Sequence, residues 1–284
     1  MPSWEWQAER WLRWARTPGH DAYWHYREAF FASIVPEPGR RTLEVGCGEG
    51  RVARDLAHRG HRVVAVDASP TLVGHAADAD RDGDYLVADA AALPFRDGSF
   101  DAVVAYNSLM DVDDMPATVA EAARVLEPGG RLCVCVTHPM ADAGRFDGKQ
   151  PDAPFTIPGA YLGRHRFEEV FERDGLEITF AGWRYALEEY AAALEAAGLC
   201  WSNASASQPP LPPPSPTARA TGAGSACRRS STSAPSSRSA GPPEPGATSS
   251  RRSSLRRPTG PDPTAEPSGG PLPMLAADRE PTAR

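Results

Sequence analysis

A chain of 284 residues with a formal charge of −7 and 41% hydrophobic residues can hold one well-packed α/β domain with chain left over. The acidic balance disfavours non-specific phosphate binding, so no nucleic-acid partner is expected. No apolar run approaches a membrane span and the start, Met1-Pro-Ser-Trp4, lacks the layout of a secretion signal, so the expectation is a cytoplasmic protein without a membrane partner.

Residues 1–35 read as a helical cap rich in aromatics. Five of the seven tryptophans, Trp4, Trp6, Trp11, Trp14 and Trp24, lie there beside Tyr23, Tyr26, Phe30 and Phe31. Positions 4, 11 and 14 share one helical face, which suits packing on a domain. The same rings would also cover a bound cation and exclude water, with Tyr23 and Trp24 placed to touch it.

Next comes Leu43-Glu-Val-Gly-Cys-Gly-Glu-Gly50, a buried strand that ends in a glycine turn and opens a helix near Arg51. Glycines at 46, 48 and 50 carry no Cβ, so backbone amides can approach a ligand, and the helix directs its positive end there. The spacing departs from the dinucleotide fingerprint, whose third glycine comes one residue later, and so disfavours a nicotinamide-dependent oxidoreductase. The second apolar run, Arg62-Val-Val-Ala-Val-Asp67, ends in an acid where ribose hydroxyls need an acceptor; before Ala-Ser-Pro, Asp67 also suits a helix cap. Strands are expected at 42–46, 62–66, 85–88, 101–105 and 131–137, with an amphipathic helix over Met115–Leu126. Such alternation makes a parallel sheet with helices on both faces and a ligand site at the carboxyl ends of its strands.

Glu44, the GxGxG turn and Asp67 together resemble the class I S-adenosylmethionine-dependent methyltransferases. Further segments follow in that family's order: Leu86-Val-Ala-Asp89, Ala-Ala-Ala-Leu-Pro-Phe95, Ser99-Phe-Asp-Ala-Val-Val-Ala105 and Ala123-Arg-Val-Leu-Glu-Pro-Gly-Gly130. The resemblance, to the small-molecule, methyltransferase type 11-like branch, covers roughly residues 20–200. It implies a Rossmann-like, doubly wound, mostly parallel α/β sheet, S-adenosyl-L-methionine as cofactor, and methyl transfer to a small-molecule acceptor. On the family's pattern Gly46 and Gly48 face the methionine moiety, Asp67 the ribose and Asp89 the adenine amino group, with backbone near Tyr106 and Asn107 at the methionine ammonium. Glu44, Ala90, Tyr23 and Trp24 complete the implied cofactor set. A cofactor-binding protein without methyl transfer is the alternative within this fold.

A sulfonium methyl needs alignment with a nucleophile and a dry pocket more than an acid/base pair. His138, just after the fifth strand, is the candidate catalytic base or substrate contact because histidine titrates near neutrality; a histidine bonded to a loop carbonyl is the plain alternative. Asp111, Asp113 and Asp114 read as a solvated acidic loop, and Asp101 as a turn acid outside the site. Arg166–Arg173 and Leu176–Tyr185 flank Asp174-Gly175, a pair suited to a tight hairpin turn, so 160–186 is expected to form a lid or substrate wall. Tyr161, Trp183 and Tyr185 would serve there as acceptor wall or as hairpin core. A helix over Leu187–Ala197 stops at Gly198. Cysteines at 47, 133, 135, 200 and 227 have neither zinc-ligand nor disulfide-framework spacing, so reduced thiols and no metal are expected, with Cys133 and Cys135 in the core.

The chain divides into the cap 1–35, a cofactor domain 36–201 and a Pro-, Ser- and Arg-rich tail 202–284. The tail has ten arginines against five acids, net +5, which leaves −12 for the rest. Its shortage of aliphatic residues predicts disorder, and its charge makes a tail-mediated nucleic-acid binder a further alternative. It begins where the resembling family adds two more strands, so the sheet is expected to lack them and to leave its fifth strand as an exposed edge. A one-base frameshift near Cys200 accounts for that break. The shifted frame can continue as Leu-Val-Glu-Arg-Leu-Arg-Glu-Pro after Gly198-Leu199, and Ala226–Ser233 can yield Leu-Pro-Pro-Val-Leu-His-Phe, both strand-like.

Overall fold

The computed structural model describes residues 4–148, 150, 152–207 and 272–279. In chain order these form α1 (Trp4–Arg16), α2 (Tyr23–Ser33), β1 (Thr42–Val45), α3 (Arg51–His58), β2 (Val63–Asp67), α4 (Pro70–Ala79) and β3 (Asp84–Val87). There follow β4 (Phe100–Tyr106), α5 (Met115–Val125), β5 (Leu126–Cys135), α6 (Pro139–Ala143) and the short pair β6 (Arg145–Phe146) and β7 (Phe155–Thr156). The rest comprises β8 (Arg164–Arg173), β9 (Leu176–Tyr185), α7 (Leu187–Ala196), β10 (Leu199–Ser207) and β11 (Leu272–Arg279).

β1, β4 and β5 lie at the centre of the sheet, where both faces are covered. The order is β10-β11-β5-β4-β1-β2-β3, with β1 to β5 parallel and β11 antiparallel to both neighbours. The chain order reverses between β1 and β4, which puts a crevice at their carboxyl ends. One face of the sheet buries Leu43, Val103, Val119, Leu132 and Leu194 with α5 and α7. On the other, Tyr26, Phe30, Val52 and Leu56 of α2 and α3 pack on Val104, Cys133 and Cys135. Each fully buried large apolar side chain contributes about 1.5–3 kcal/mol.

Local chemistry sets the ends of the connecting helices. Ser69 caps α4 by accepting the Leu72 amide at 3.2 Å, with Pro70 in the first turn, and Asp114 caps α5 by accepting the Ala117 amide at 3.0 Å. The β8–β9 turn is Asp174-Gly175 with φ of 50° and 74°, as its composition predicts.

The sheet differs from expectation at its outer side. β11 covers β5 in the register Met274↔Cys135 to Asp278↔Arg131, and β10 lies outside it, so the two strands expected to be missing are present. Arg131 Nε meets Asp278 at 2.7 Å across this pairing, and Ala276 and Ala277 are buried against the sheet. An unpaired apolar strand recruits whatever extended segment can satisfy its amides, and these segments do so despite their composition. The boundary expected at 201/202 therefore cuts through β10. The expected disorder of the tail otherwise concerns residues 208–271 and 280–284, which lie outside the described residues.

The aromatic front divides at Gly19, φ 78°, into two helices with different duties. α2 packs on the sheet. α1 lies between α4 and β9: Glu5 accepts Thr71 Oγ1 at 2.6 Å and the Ser69 hydroxyl, while Gln7 clasps Thr179. That clasp matters because β9 is an edge strand. The Gln7 amide, 2% exposed, donates to Thr179 O at 2.5 Å and accepts from Thr179 N at 3.0 Å, and Met110 O takes the Trp183 amide at 2.9 Å.

Candidate functional site

The glycine turn between β1 and α3 forms the floor of the crevice. Gly46 has φ of 73°, and a Cβ on it would lie 2.4 Å from the Ser108 Cβ, so only glycine fits. Ser108 is held there by donating to Val45 O at 2.8 Å. The Gly48 amide donates to Asp67 Oδ2 at 2.8 Å, and the other Asp67 oxygen accepts from Ser69 N at 2.9 Å. Asp67 therefore ties the glycine turn to the loop before α4, whose cap is Ser69 and not Asp67 itself, and presents a carboxylate at the end of β2.

Three acids and two arginines surround the turn. Glu44 is 1% exposed and its Oε2 has no hydrogen-bond partner. Burial, then the fields of Asp67 and Glu49, push its carboxyl well above the usual range. Burial likewise raises Asp67 against the two amides that hold it. Glu49 is paired with Arg54 at 2.8 Å. Arg51, the first residue of α3, meets Asp21 at 2.5 Å and lies 4.6 Å from the Tyr23 ring and 5.2 Å from the Trp11 ring. Its NH1 is buried without a partner. The orphaned Glu44 oxygen and Arg51 nitrogen suit a ligand carrying both a cation and a carboxylate. The sequence reading missed Arg51, although its place directly after the third glycine was the available signal.

The remaining implied residues lie around this floor. Asn107 has φ of 50°, donates its amide to Cys135 O at 2.7 Å and leaves Oδ1 unpartnered. Tyr106 is 7% exposed with an unpartnered hydroxyl. Asp89 is exposed after β3 and accepts the Ala91 amide at 2.9 Å, beside partly buried Ala90.

Tyr23 and Trp24 face opposite ways, Tyr23 into the core and Trp24 toward solvent. Tyr23 is 1% exposed: its ring packs on Tyr106 and its hydroxyl donates to Asp55 at 2.6 Å. Trp24 is 48% exposed on the outer side, 4.9 Å from the Arg27 guanidinium. The aromatic that approaches the turn is Trp11 of α1, whose Nε1 would stand 3.5 Å from a Cβ on Gly48.

His138 is the N-cap of α6. Its Nδ1 accepts the Met140 amide at 3.1 Å, not the bond to a loop carbonyl that was the plain alternative, and the neutral ring then carries its proton on Nε2. Asp113 and Asp114 are exposed as expected, but burial, reinforced by Asp67, lifts the Asp111 carboxyl well above its usual range, so it is not a solvated loop acid. Asp101 accepts the Arg41 amide at 3.3 Å away from the site. A separate cleft lined by Arg40, His61, Asp82 and Tyr85 opens at the amino ends of the strands, away from these groups.

Residues 43–134 match the family model of the methyltransferase domain. This stretch is a class I methyltransferase domain. A demethylmenaquinone methyltransferase of Beutenbergia cavernae is 39% identical over 116 residues, 41% of this chain and 48% of that protein. One from Renibacterium salmoninarum is 40% identical over 115 residues, 40% of this chain and 48% of that protein. The chain thus spans about half the length of these curated relatives. The crystal structure of an S-adenosylmethionine-dependent methyltransferase from Mesorhizobium loti superposes with a TM-score of 0.58 at 20% identity, over 91% of this chain and 98% of that one. At that identity the likeness is one of fold. The matched segment contains the glycine turn, Asp67, Asp89, Asn107 and Asp111 of the methyltransferase domain; α1 and the β8–β9 hairpin lie outside it.

Proposed function

We propose that this chain binds S-adenosyl-L-methionine and transfers its methyl group to a small-molecule acceptor. The observation that carries the reading is the pair of orphaned buried atoms, Glu44 Oε2 and Arg51 NH1, on either side of a glycine turn tied to Asp67. Arg51 would take the carboxylate of the methionine moiety, and Glu44 with the Asn107 carbonyl oxygen would take its ammonium. Asp67 would accept from the ribose hydroxyls and Asp89 from the adenine amino group. Bound there, the cofactor supplies an electrophilic methyl on a sulfonium. The excess of acids over unpaired arginines stabilises that positive charge, and α1 with Trp11 keeps water from it.

The names of the matched relatives support a small-molecule acceptor. No helix among the described residues is long and apolar enough to cross a membrane, which fits a cytoplasmic enzyme acting without a membrane or nucleic-acid partner. Separately, a one-base frameshift near Cys200 would account for the composition of the tail 202–284, and a coding sequence with no strand-like alternative frame there would refute it.

Calorimetric titration with S-adenosylmethionine tests the central proposal, with NADH as comparison. Micromolar binding is expected, weakened by Asp67→Ala about a hundredfold, the loss of charged hydrogen bonds worth about 3 kcal/mol. A folded chain that binds NADH instead, or neither ligand, would refute it.

A further inference from the structure

Each nitrogen of the Arg51 guanidinium has a different neighbour. Arg51 opens α3 directly after Gly50, whose φ of 81° turns the chain into the helix. Its NH2 donates to Asp21 Oδ2 at 2.5 Å, its Nε stands 3.9 Å from Glu49 Oε1, and its NH1 is buried with no partner. The rings of Trp11 and Tyr23 lie 5.2 and 4.6 Å from its central carbon. Trp11 adjoins Gly48, so the guanidinium stands beside the glycine turn. Glu49 comes from that turn itself, whereas Asp21, Trp11 and Tyr23 all come from the aromatic front of the chain.

Asp21 is fixed from both flanks. It lies between α1 and α2, its side chain is 8% exposed, and its second oxygen accepts the Tyr23 amide at 2.7 Å as α2 begins. Tyr23 is held in turn by donating its hydroxyl to Asp55, which Arg27 also meets at 3.0 Å. Before Asp21, the tip of the β8–β9 hairpin grips the same turn. Arg173 donates to Gly19 O at 2.7 Å, and buried His20, its ring 4.8 Å from that of Trp14, donates from Nε2 to Arg173 O at 3.3 Å. Both Asp21 oxygens are engaged, so the one facing Arg51 cannot swing away without giving up the Tyr23 amide. A charge-assisted bond from so fixed an acceptor holds the planar guanidinium fork in one orientation.

We propose that Asp21 is a positioning residue for the cofactor: by holding NH2 of Arg51 it keeps NH1 open for the carboxylate of the methionine moiety. The inference rests on the methyltransferase reading above. Asp21 has two opposing effects on that carboxylate. Its charge repels the incoming group, but a released guanidinium has Glu49 within 3.9 Å, an acid 4% exposed, and would turn to it and withdraw NH1. The repulsion acts across the guanidinium and is offset by its positive charge, whereas a withdrawn NH1 loses the charged hydrogen bond outright, so positioning outweighs repulsion.

The test is calorimetric titration of the full chain with S-adenosylhomocysteine and with its decarboxylated analogue, which keeps the adenosine and the amine. The parent is expected to bind the first at least about tenfold tighter. Asp21→Asn and Asp21→Ser each keep an acceptor for the Tyr23 amide and remove the carboxylate facing Arg51. Each should weaken S-adenosylhomocysteine about tenfold and leave the analogue within about twofold. Combined with Arg51→Gln, the same Asp21 substitutions should change neither affinity further, since Asp21 acts through Arg51. Equal weakening of both ligands, unchanged or tighter binding of S-adenosylhomocysteine in the Asp21 variants, or an added loss on top of Arg51→Gln would overturn the proposal. So would a parent that binds the two ligands equally, because Arg51 would then not hold the carboxylate. A folded parent that binds neither ligand would defeat the methyltransferase reading itself and this inference with it.

Discussion

The two sides of the crevice are assembled by different means. On the cofactor side the groups sit on consecutive strand–turn–helix units: Gly46 and Gly48 between β1 and α3, Asp67 at the end of β2, with backbone amides setting the distances. On the other side Asp111, Phe167 and Phe180 come from a loop and two strands and meet where the β8–β9 hairpin docks, clasped by one glutamine of α1. Substitutions on the first side should therefore act on the whole fold. On the second they should loosen a cap and leave the sheet intact.

The largest effect is expected from Gly46→Ala. Its φ of 73° disfavours any Cβ, and the added carbon would lie 2.4 Å from the Ser108 Cβ, between two central strands. Conformational strain and overpacking together should cost about 3 kcal/mol, a fall in Tm of roughly 10 °C, with cofactor binding lost. Thermal unfolding checks this; an unchanged Tm would mean that the turn is not the rigid element described.

Gln7→Ala should act on the other side alone. It leaves the Thr179 N–H and C=O without their partners on a strand edge that α1 otherwise covers, at a cost of about 2 kcal/mol confined to the cap. Hydrogen exchange at Thr179 should quicken roughly thirtyfold while amides of Val103 and Leu132 keep their protection. Equal loosening of the sheet amides would erase the distinction between the two sides.

That distinction also explains what could be read in advance. β1 to β5, α5 and the Asp174-Gly175 turn follow from short-range rules, periodicity and turn chemistry, and stand near their expected places. The glycine turn and the acid that ends β2 were legible because strand–turn–helix chemistry depends on neighbours close in sequence. Asp111 was not, since its burial depends on a hairpin that arrives far later in the chain and on the absence of a side chain at Gly182. Wall and core stayed open for Trp183 and Tyr185 for a related reason: strand alternation identifies two faces but not which one packs inward, and here their face joins the core while α1 packs on Phe180. β11 escaped notice because Leu272-Pro-Met-Leu-Ala-Ala has little strand character until β5 supplies a partner.

A smaller effect concerns pH. The Asp142 carboxyl is raised in the folded chain from 3.8 to about 7, by burial first, with Arg184 opposing and Glu169 adding. The folded state then holds a proton that the unfolded state has released between about pH 4 and pH 7, so this group's contribution is full below pH 4 and is lost as pH rises through 7. Asp142→Asn should flatten the decline of stability across that window and leave the variant about 1 kcal/mol more stable than the parent at pH 8, less than the full shift because the carboxyl keeps some contact with water. Denaturant midpoints at pH 5 and pH 8 measure it; an identical decline in both chains would place the carboxyl in solvent.

The smallest expected effect separates the two helices of the aromatic front. Trp11 stands over the glycine turn, where its ring adjoins Arg51 and would border a sulfonium, so Trp11→Ala should weaken S-adenosylmethionine binding about tenfold. Trp24 points outward and stacks on Arg27 and Tyr23, contacts that an exposed ring gives up at little cost. Trp24→Ala should therefore leave both affinity and Tm nearly unchanged. If instead Trp24→Ala weakens binding and Trp11→Ala does not, the cap over the cofactor is α2 and the clasp between Gln7 and Thr179 serves only the fold.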